Sequence, residues 1–254
     1  MLMSGVIDAL IAGGAVLLGT RLYSSGLHRR YPAFFLFMIF FALQNATVVV
    51  LGGASGAYQK VWVLTEPIEW FFYAWVVLEL FSLVLEDYRG LRTVGRWALI
   101  AATAIALLAS VFSLAVPSHA TTQGRLMAYY YVAERAVYFS LVVFLLTILV
   151  LLTRYPITLN RNIVVHSVVF SVYFLTGTAI FLMLSTRGFG VLPIAAYVTR
   201  AVNVGAVGAW LALLNSAGEW RAQRLRPAWM PGHEDRLSSQ LNSLNAALLR
   251  VTWG

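Results

Sequence analysis

The chain reads as an all-α polytopic membrane protein of seven transmembrane helices, and three observations predict this. Of its 254 residues, 60% are hydrophobic and only 11% are charged, whereas a soluble domain carries roughly 25% charged residues. The apolar residues gather in runs of roughly 20, the length a helix needs to cross a ~30 Å hydrocarbon layer. The runs are apolar all round, where a helix at a water-facing surface would show a single apolar stripe.

The first run, 5–23, has no basic residue before it, and Arg21 lies at its far end. A cleaved signal carries positive charge ahead of its apolar stretch, so this run is read as a retained helix whose N-terminus lies outside. The second, 32–52, opens on Pro32, a residue suited to a first helical turn. The third, 61–85, holds Glu66, Pro67, Glu69 and Glu79. The fourth and fifth are 97–116 and 127–152, the latter holding Glu134 and Arg135. The sixth, 162–184, holds His166, read as a hydrogen-bonded residue near a membrane interface. The seventh, 191–214, holds Arg200. The connecting loops are short, so residues 1–214 form one seven-helix domain and 215–254 a polar tail.

Basic residues set the orientation, because they collect on the cytoplasmic side. One side holds thirteen of them, from Arg21, Arg29 and Arg30 through to Arg250 in the tail; the other holds Lys60, Arg125 and Arg187. The N-terminus is therefore expected outside and the tail in the cytoplasm of a bacterial inner membrane. The net charge of +8 is this asymmetry plus attraction to anionic lipid heads, and calls for no nucleic acid. Arg30-Tyr31-Pro32 recurs as Arg154-Tyr155-Pro156. Each copy reads as an interface anchor before a helix; the pair also fits a three-plus-one-plus-three repeat of the kind some transporters use.

Charge inside a bilayer is costly and marks function or a structural network. At a 1.5 Å rise per residue, Glu66, Glu69, Glu134, Arg135 and Arg200 all lie about 8–13 Å below the outer end of their spans, as do Gln44 and Asn45. Glu66 and Glu69 share a face, three residues apart. Tyr197, Arg200 and Asn203 form a second stripe, and Tyr130, Glu134 and Tyr138 a third, with Tyr131 beside it. Tyrosine brings an apolar ring and one hydroxyl, as pocket linings do. The expected ligand pocket is thus Glu66, Glu69, Glu134, Arg135, Arg200, Gln44, Asn45, Asn203, Tyr130, Tyr131 and Tyr197. With Asp8, four acids face two arginines, which leaves carboxyls that need a proton, water or a cation. The competing reading is a closed network that only orients the helices. Glu79 sits on another face, as a buried acid or a proton-relay member.

Several chemistries are excluded. There is no cysteine, hence no disulfide, Fe–S cluster or cysteine-bound zinc. No histidine pair suits a haem, no His/carboxylate set has catalytic metal spacing, and there is neither a phosphate loop nor a nucleophile elbow. No catalytic residue, metal or cofactor is expected. The single lysine, Lys60, lies in a loop, which rules out a retinal Schiff base on the last span.

In the tail, Leu237, Leu241, Leu244, Leu248 and Val251 are spaced 4, 3, 4, 3, the stripe of a short amphipathic helix over about 234–252. It could dock on the protein itself, the membrane, or a partner through those leucines. Arg221, Arg224, Arg226, Trp220 and Trp229 read as interfacial anchors.

Seven spans, an outside N-terminus, an outer-half polar pocket and a cytoplasmic helix resemble the heptahelical input domains of bacterial signalling proteins. The resemblance is architectural and rests on no motif. It implies a non-enzymatic sensor that binds a small ligand and signals through a separate cytoplasmic partner. A small proton-coupled transporter and a scaffold subunit of a larger membrane complex are the alternatives.

Overall fold

The computed structural model describes residues 2–52, 55–86, 122–154, 159–219 and 222–223, with isolated positions between 93 and 104 and between 239 and 246. Six long helices account for nearly all of this: α1 (Leu2–Ser24), α2 (Pro32–Leu51), α3 (Gly56–Val84), α4 (Thr122–Arg154), α5 (Arg161–Arg187) and α6 (Leu192–Leu213). A two-residue antiparallel pair, Leu159–Asn160 with Ala222–Gln223, is the strand content of the described residues. Five helices (α1, α2, α3, α5 and α6) are long and apolar enough to cross a membrane. Six of the seven expected runs are helical to within a few residues, and α3 begins a turn earlier than its apolar run. The fourth run lies mostly outside the described residues, although Thr93, Trp97, Ile100, Ala101 and Ala104 are helical. Also outside them are Arg154-Tyr155-Pro156 beyond its first residue, the anchors Trp220, Arg221, Arg224, Arg226 and Trp229, and the tail leucines Leu237, Leu241, Leu244 and Leu248.

Local chemistry fixes the helix ends. Pro32 and Pro193 occupy first-turn positions of α2 and α6, where the missing N–H costs nothing. Ser55 caps α3 by accepting the Tyr58 N–H at 3.1 Å. Gly52 ends α2 at φ 74°, a region glycine enters without penalty. The helices pack in a closed ring: each touches the next in sequence, α6 returns to α1, and α3 also reaches α5 across the ring. The buried centre is aromatic. Phe34, Phe37, Phe170, Phe174 and Trp210 interlock from α2, α5 and α6, with centroids 4.9–6.3 Å apart for the pairs Phe34–Trp210, Phe34–Phe170, Phe37–Phe170, Phe170–Phe174 and Phe170–Trp210. Large apolar side chains such as Val50, Leu64, Phe71 and Leu175 point outward, as lipid-facing positions do.

Two polar features hold one end of the ring. The Glu79 carboxylate accepts the backbone N–H groups of Ala33 (2.8 Å) and Phe34 (3.2 Å). Glu79 of α3 thus caps the start of α2, supplied by a neighbouring helix and favoured by the helix dipole. Nearby, the Glu219 carboxylate accepts from Tyr31 Oη (2.7 Å), Asn162 Nδ2 (2.6 Å) and Asn160 Nδ2 (3.2 Å). Asn162 also donates to the Asn215 carbonyl at 2.8 Å, and Arg30 binds Glu86 through two contacts of 2.5 and 3.3 Å. This corrects the reading of Tyr31 as an interface anchor. Its ring is fully buried, because its hydroxyl is committed to Glu219 beyond α6. Burial, then the hydrogen bond to Glu219, raises the Tyr31 pKa above its usual 10, so it stays a donor. His166 is also corrected: it is wholly buried among Tyr31, Phe34, Phe170 and Trp210, and neither ring nitrogen has a hydrogen-bond partner among the described residues.

Candidate functional site

The site follows from one stripe on α3. Tyr58, Trp62, Glu66, Glu69 and Tyr73 are spaced 4, 4, 3, 4, which keeps them on one helix face. That face looks into a cavity of about 200 Å³ lined by five helices. From α2 come Phe41, Gln44, Asn45 and Val48; from α3, Tyr58, Trp62, Glu66 and Glu69; from α4, Glu134 and Tyr138. The helix α5 gives Tyr173, Thr176, Gly177, Ile180 and Phe181, and α6 gives Thr199, Val202 and Asn203.

The carboxyls divide into two settings. Glu69 is held by the Tyr73 hydroxyl, one turn along α3, and the Gln44 side chain reaches it from α2. Tyr73 in turn meets Tyr173 Oη at 2.8 Å and receives Tyr138 Oη at 3.4 Å. Three tyrosines from α3, α4 and α5 therefore anchor one acid. Glu66 and Glu134 instead face one another across the α3–α4 contact. They are only 2% and 4% exposed, and the Oε2 atom of each has no hydrogen-bond partner among the described residues. Two carboxyls in contact in a buried site need a proton or a cation between them.

Close packing shapes the wall. The Tyr138 ring lies directly against Gly177, where any Cβ would collide with it. Only glycine lets α4 bring that ring so near α5.

Six of the eleven expected pocket residues line the cavity: Gln44, Asn45, Glu66, Glu69, Glu134 and Asn203. Five do not. Arg200 turns to α1, where Nε and Nη2 bind the two Asp8 carboxylate oxygens at 2.7 and 3.2 Å. Tyr197 is 70% exposed on the outer face. A spacing of three falls about 60° short of a turn at each step, so Tyr197 and Asn203 end about 120° apart. Tyr130 packs on Trp62 and Trp70 and donates to the Val63 carbonyl at 3.0 Å. Tyr131 stacks on Phe181 and lies beside Trp62. Arg135 is half-buried on α4 and outside the cavity lining. Arg200 therefore does not neutralise the three glutamates; the ion pairs seen among the described residues include Arg30–Glu86, Arg30–Glu219 and Arg200–Asp8.

Sequence reasoning did not place Tyr58, Trp62, Tyr73, Tyr173, Thr176, Gly177 or Thr199 at the site. The first three sit at 4, 4, 3, 4 spacing with the glutamates, a signal that could have found them. The α5 set carries no charge and gave none. No group of three His, Cys, Asp or Glu side chains among the described residues is placed to hold a metal.

Comparison with protein-family models, with curated proteins and with solved structures returned no match.

Proposed function

We propose that the chain is a seven-helix sensor of a bacterial cytoplasmic membrane, N-terminus outside and tail inside, that binds a small ligand in the five-helix cavity and signals through a cytoplasmic partner. The observation that carries this is the cavity itself: an aromatic chamber with polar groups converging from five helices, the usual form of a small-molecule site. Its placement supports a sensor. The cavity takes its α2 and α6 residues from the halves of those helices far from Tyr31 and Glu219. The block of Phe34, His166, Phe170 and Trp210 fills the space between. A ligand that repacks α2 against α6 would thus load the Tyr31–Glu219 bond, beside the tail. The helix over 234–252 is the proposed contact for the partner.

Transport is the second reading. Pro67 lies inside α3 beside Glu66, and interrupted helices beside a site are characteristic of carriers.

Purification of N-terminally tagged protein from native membranes in mild detergent tests the choice. A stoichiometric partner, lost in the double variant Leu241→Asp with Leu244→Asp, is the expected result. A lone protein that drives ligand uptake into liposomes would overturn the sensor reading.

A further inference from the structure

We infer that the cavity takes a small organic ammonium ion, held between the Glu66–Glu134 pair and the rings of Tyr58, Trp62 and Tyr173. This deepens the proposed ligand site and rests on it.

The polar lining presents unpartnered acceptors. Glu66 and Glu134 each keep an unpartnered, buried Oε2 atom, and Asn203 of α6 keeps an unpartnered Oδ1. Several groups that could donate are already engaged. Asn45 Nδ2 donates to the Phe41 carbonyl at 2.8 Å. The hydroxyls of Thr176 and Thr199 donate back to Val172 and Ala195 at 2.8 and 2.9 Å, which leaves only their lone pairs for a ligand. The Tyr138 hydroxyl donates to Tyr73 Oη, and the Tyr73 hydroxyl donates to Glu69. A ligand that brings hydrogens and positive charge would satisfy the two adjoining carboxyls, which otherwise share a proton.

Among the described residues no Lys, Arg or His side chain contributes to the lining. Arg200, the arginine nearest in sequence to the lining residues of α6, is held by Asp8. The aromatic walls then choose among cations. Trp and Tyr faces attract ammonium groups and shelter attached carbons, whereas a bare metal ion gains little from them. The size agrees: about 200 Å³ is below the roughly 300–1,000 Å³ of pockets for drug-sized ligands.

The test uses full-length protein in lipid nanodiscs, with propylammonium as probe and 1-propanol, propionate and sodium as its neutral, anionic and inorganic counterparts. Saturable binding of propylammonium by calorimetry, a matching rise in melting temperature, and no effect of the other three is the expected result. Glu66→Gln and Glu134→Gln should each weaken it by about tenfold or more, the loss of one charged hydrogen bond. Folding of the variants is checked by gel filtration and circular dichroism. The melting shift of the unmutated protein decides the matter should a variant not fold. Equal or tighter binding of 1-propanol or propionate, sensitive to Trp62→Ala, would leave the ligand site standing and overturn its assignment to a cation. Displacement by sodium at equal concentration would overturn the organic part. No saturable binding of any of the four would overturn both the ammonium assignment and the cavity as a ligand site.

Discussion

The hydroxyl of Tyr130 donates to the carbonyl of Val63 at 3.0 Å, and that carbonyl is the one Pro67 leaves without an intrahelical donor. Proline has no N–H to return to the residue four before it. In lipid an orphaned carbonyl is costly, and a neighbouring helix is a common source of the missing hydrogen. The bond lets α3 carry Pro67 between Glu66 and Glu69 while remaining helical throughout Gly56–Val84.

Tyr130→Phe should therefore cost about 1 kcal/mol in stability. In a Pro67→Ala background the same change should cost close to nothing, because the substituted alanine supplies the missing N–H. A double-mutant cycle on reversible unfolding reads the coupling. Additive costs would remove Tyr130 from this role.

Asp8 and Arg200 join α1 to α6 through paired contacts. Removing one charge strands the other, so Asp8→Asn or Arg200→Gln alone should cost about 2–3 kcal/mol, the lower end for a buried pair because Arg200 is partly open. The double neutral variant should be more stable than either single one. Ligand binding in the cavity should survive it, since neither residue lines the site. Melting curves and binding by calorimetry check both points.

Glu79 accepts two N–H groups at the start of α2. Glu79→Ala should lower stability by about 1–2 kcal/mol, and Glu79→Gln by less, because the amide oxygen still accepts. Faster hydrogen exchange at residues 33–36 in Glu79→Ala would localise the effect. Unchanged exchange there would contradict the cap.

Gly177→Ala places a methyl group where the Tyr138 ring lies. Overpacking should cost about 1–3 kcal/mol, and a further Tyr138→Leu should restore part of it. The displaced ring has the cavity as its open side, so propylammonium binding should weaken in Gly177→Ala and recover in the double variant.

Tyr31 links the start of α2 to Glu219 beyond α6. Its raised folded-state pKa gives a signed pH dependence. The unfolded phenol ionises near its ordinary 10, while the folded one stays protonated. The contribution is therefore complete below about pH 10 and declines as pH rises past it. Tyr31→Phe should lower stability at neutral pH and make the alkaline decline shallower, as read by melting temperatures from pH 7 to 11.

That the chain is helical, and apolar enough for a membrane, was legible in its residues alone. Both follow from composition and run length, which are local quantities. The acids were legible too: Glu66, Glu69 and Glu134 stand out because carboxyls in long apolar runs are rare. Their partners were not. Counting along the spans predicts Arg200 and Arg135 at matching depth, yet depth is one coordinate, and the angle around each helix decides who meets whom. That angle put Arg200 on Asp8, sent Tyr197 outward, and spent Tyr130 on the Val63 carbonyl. Tyr173 and Gly177, far along the chain from the acids, joined the site because α5 packs across the ring against α3. Which faces share the interior emerges only when the helices close on one another, since each helix buries the side that its neighbours leave no room to expose.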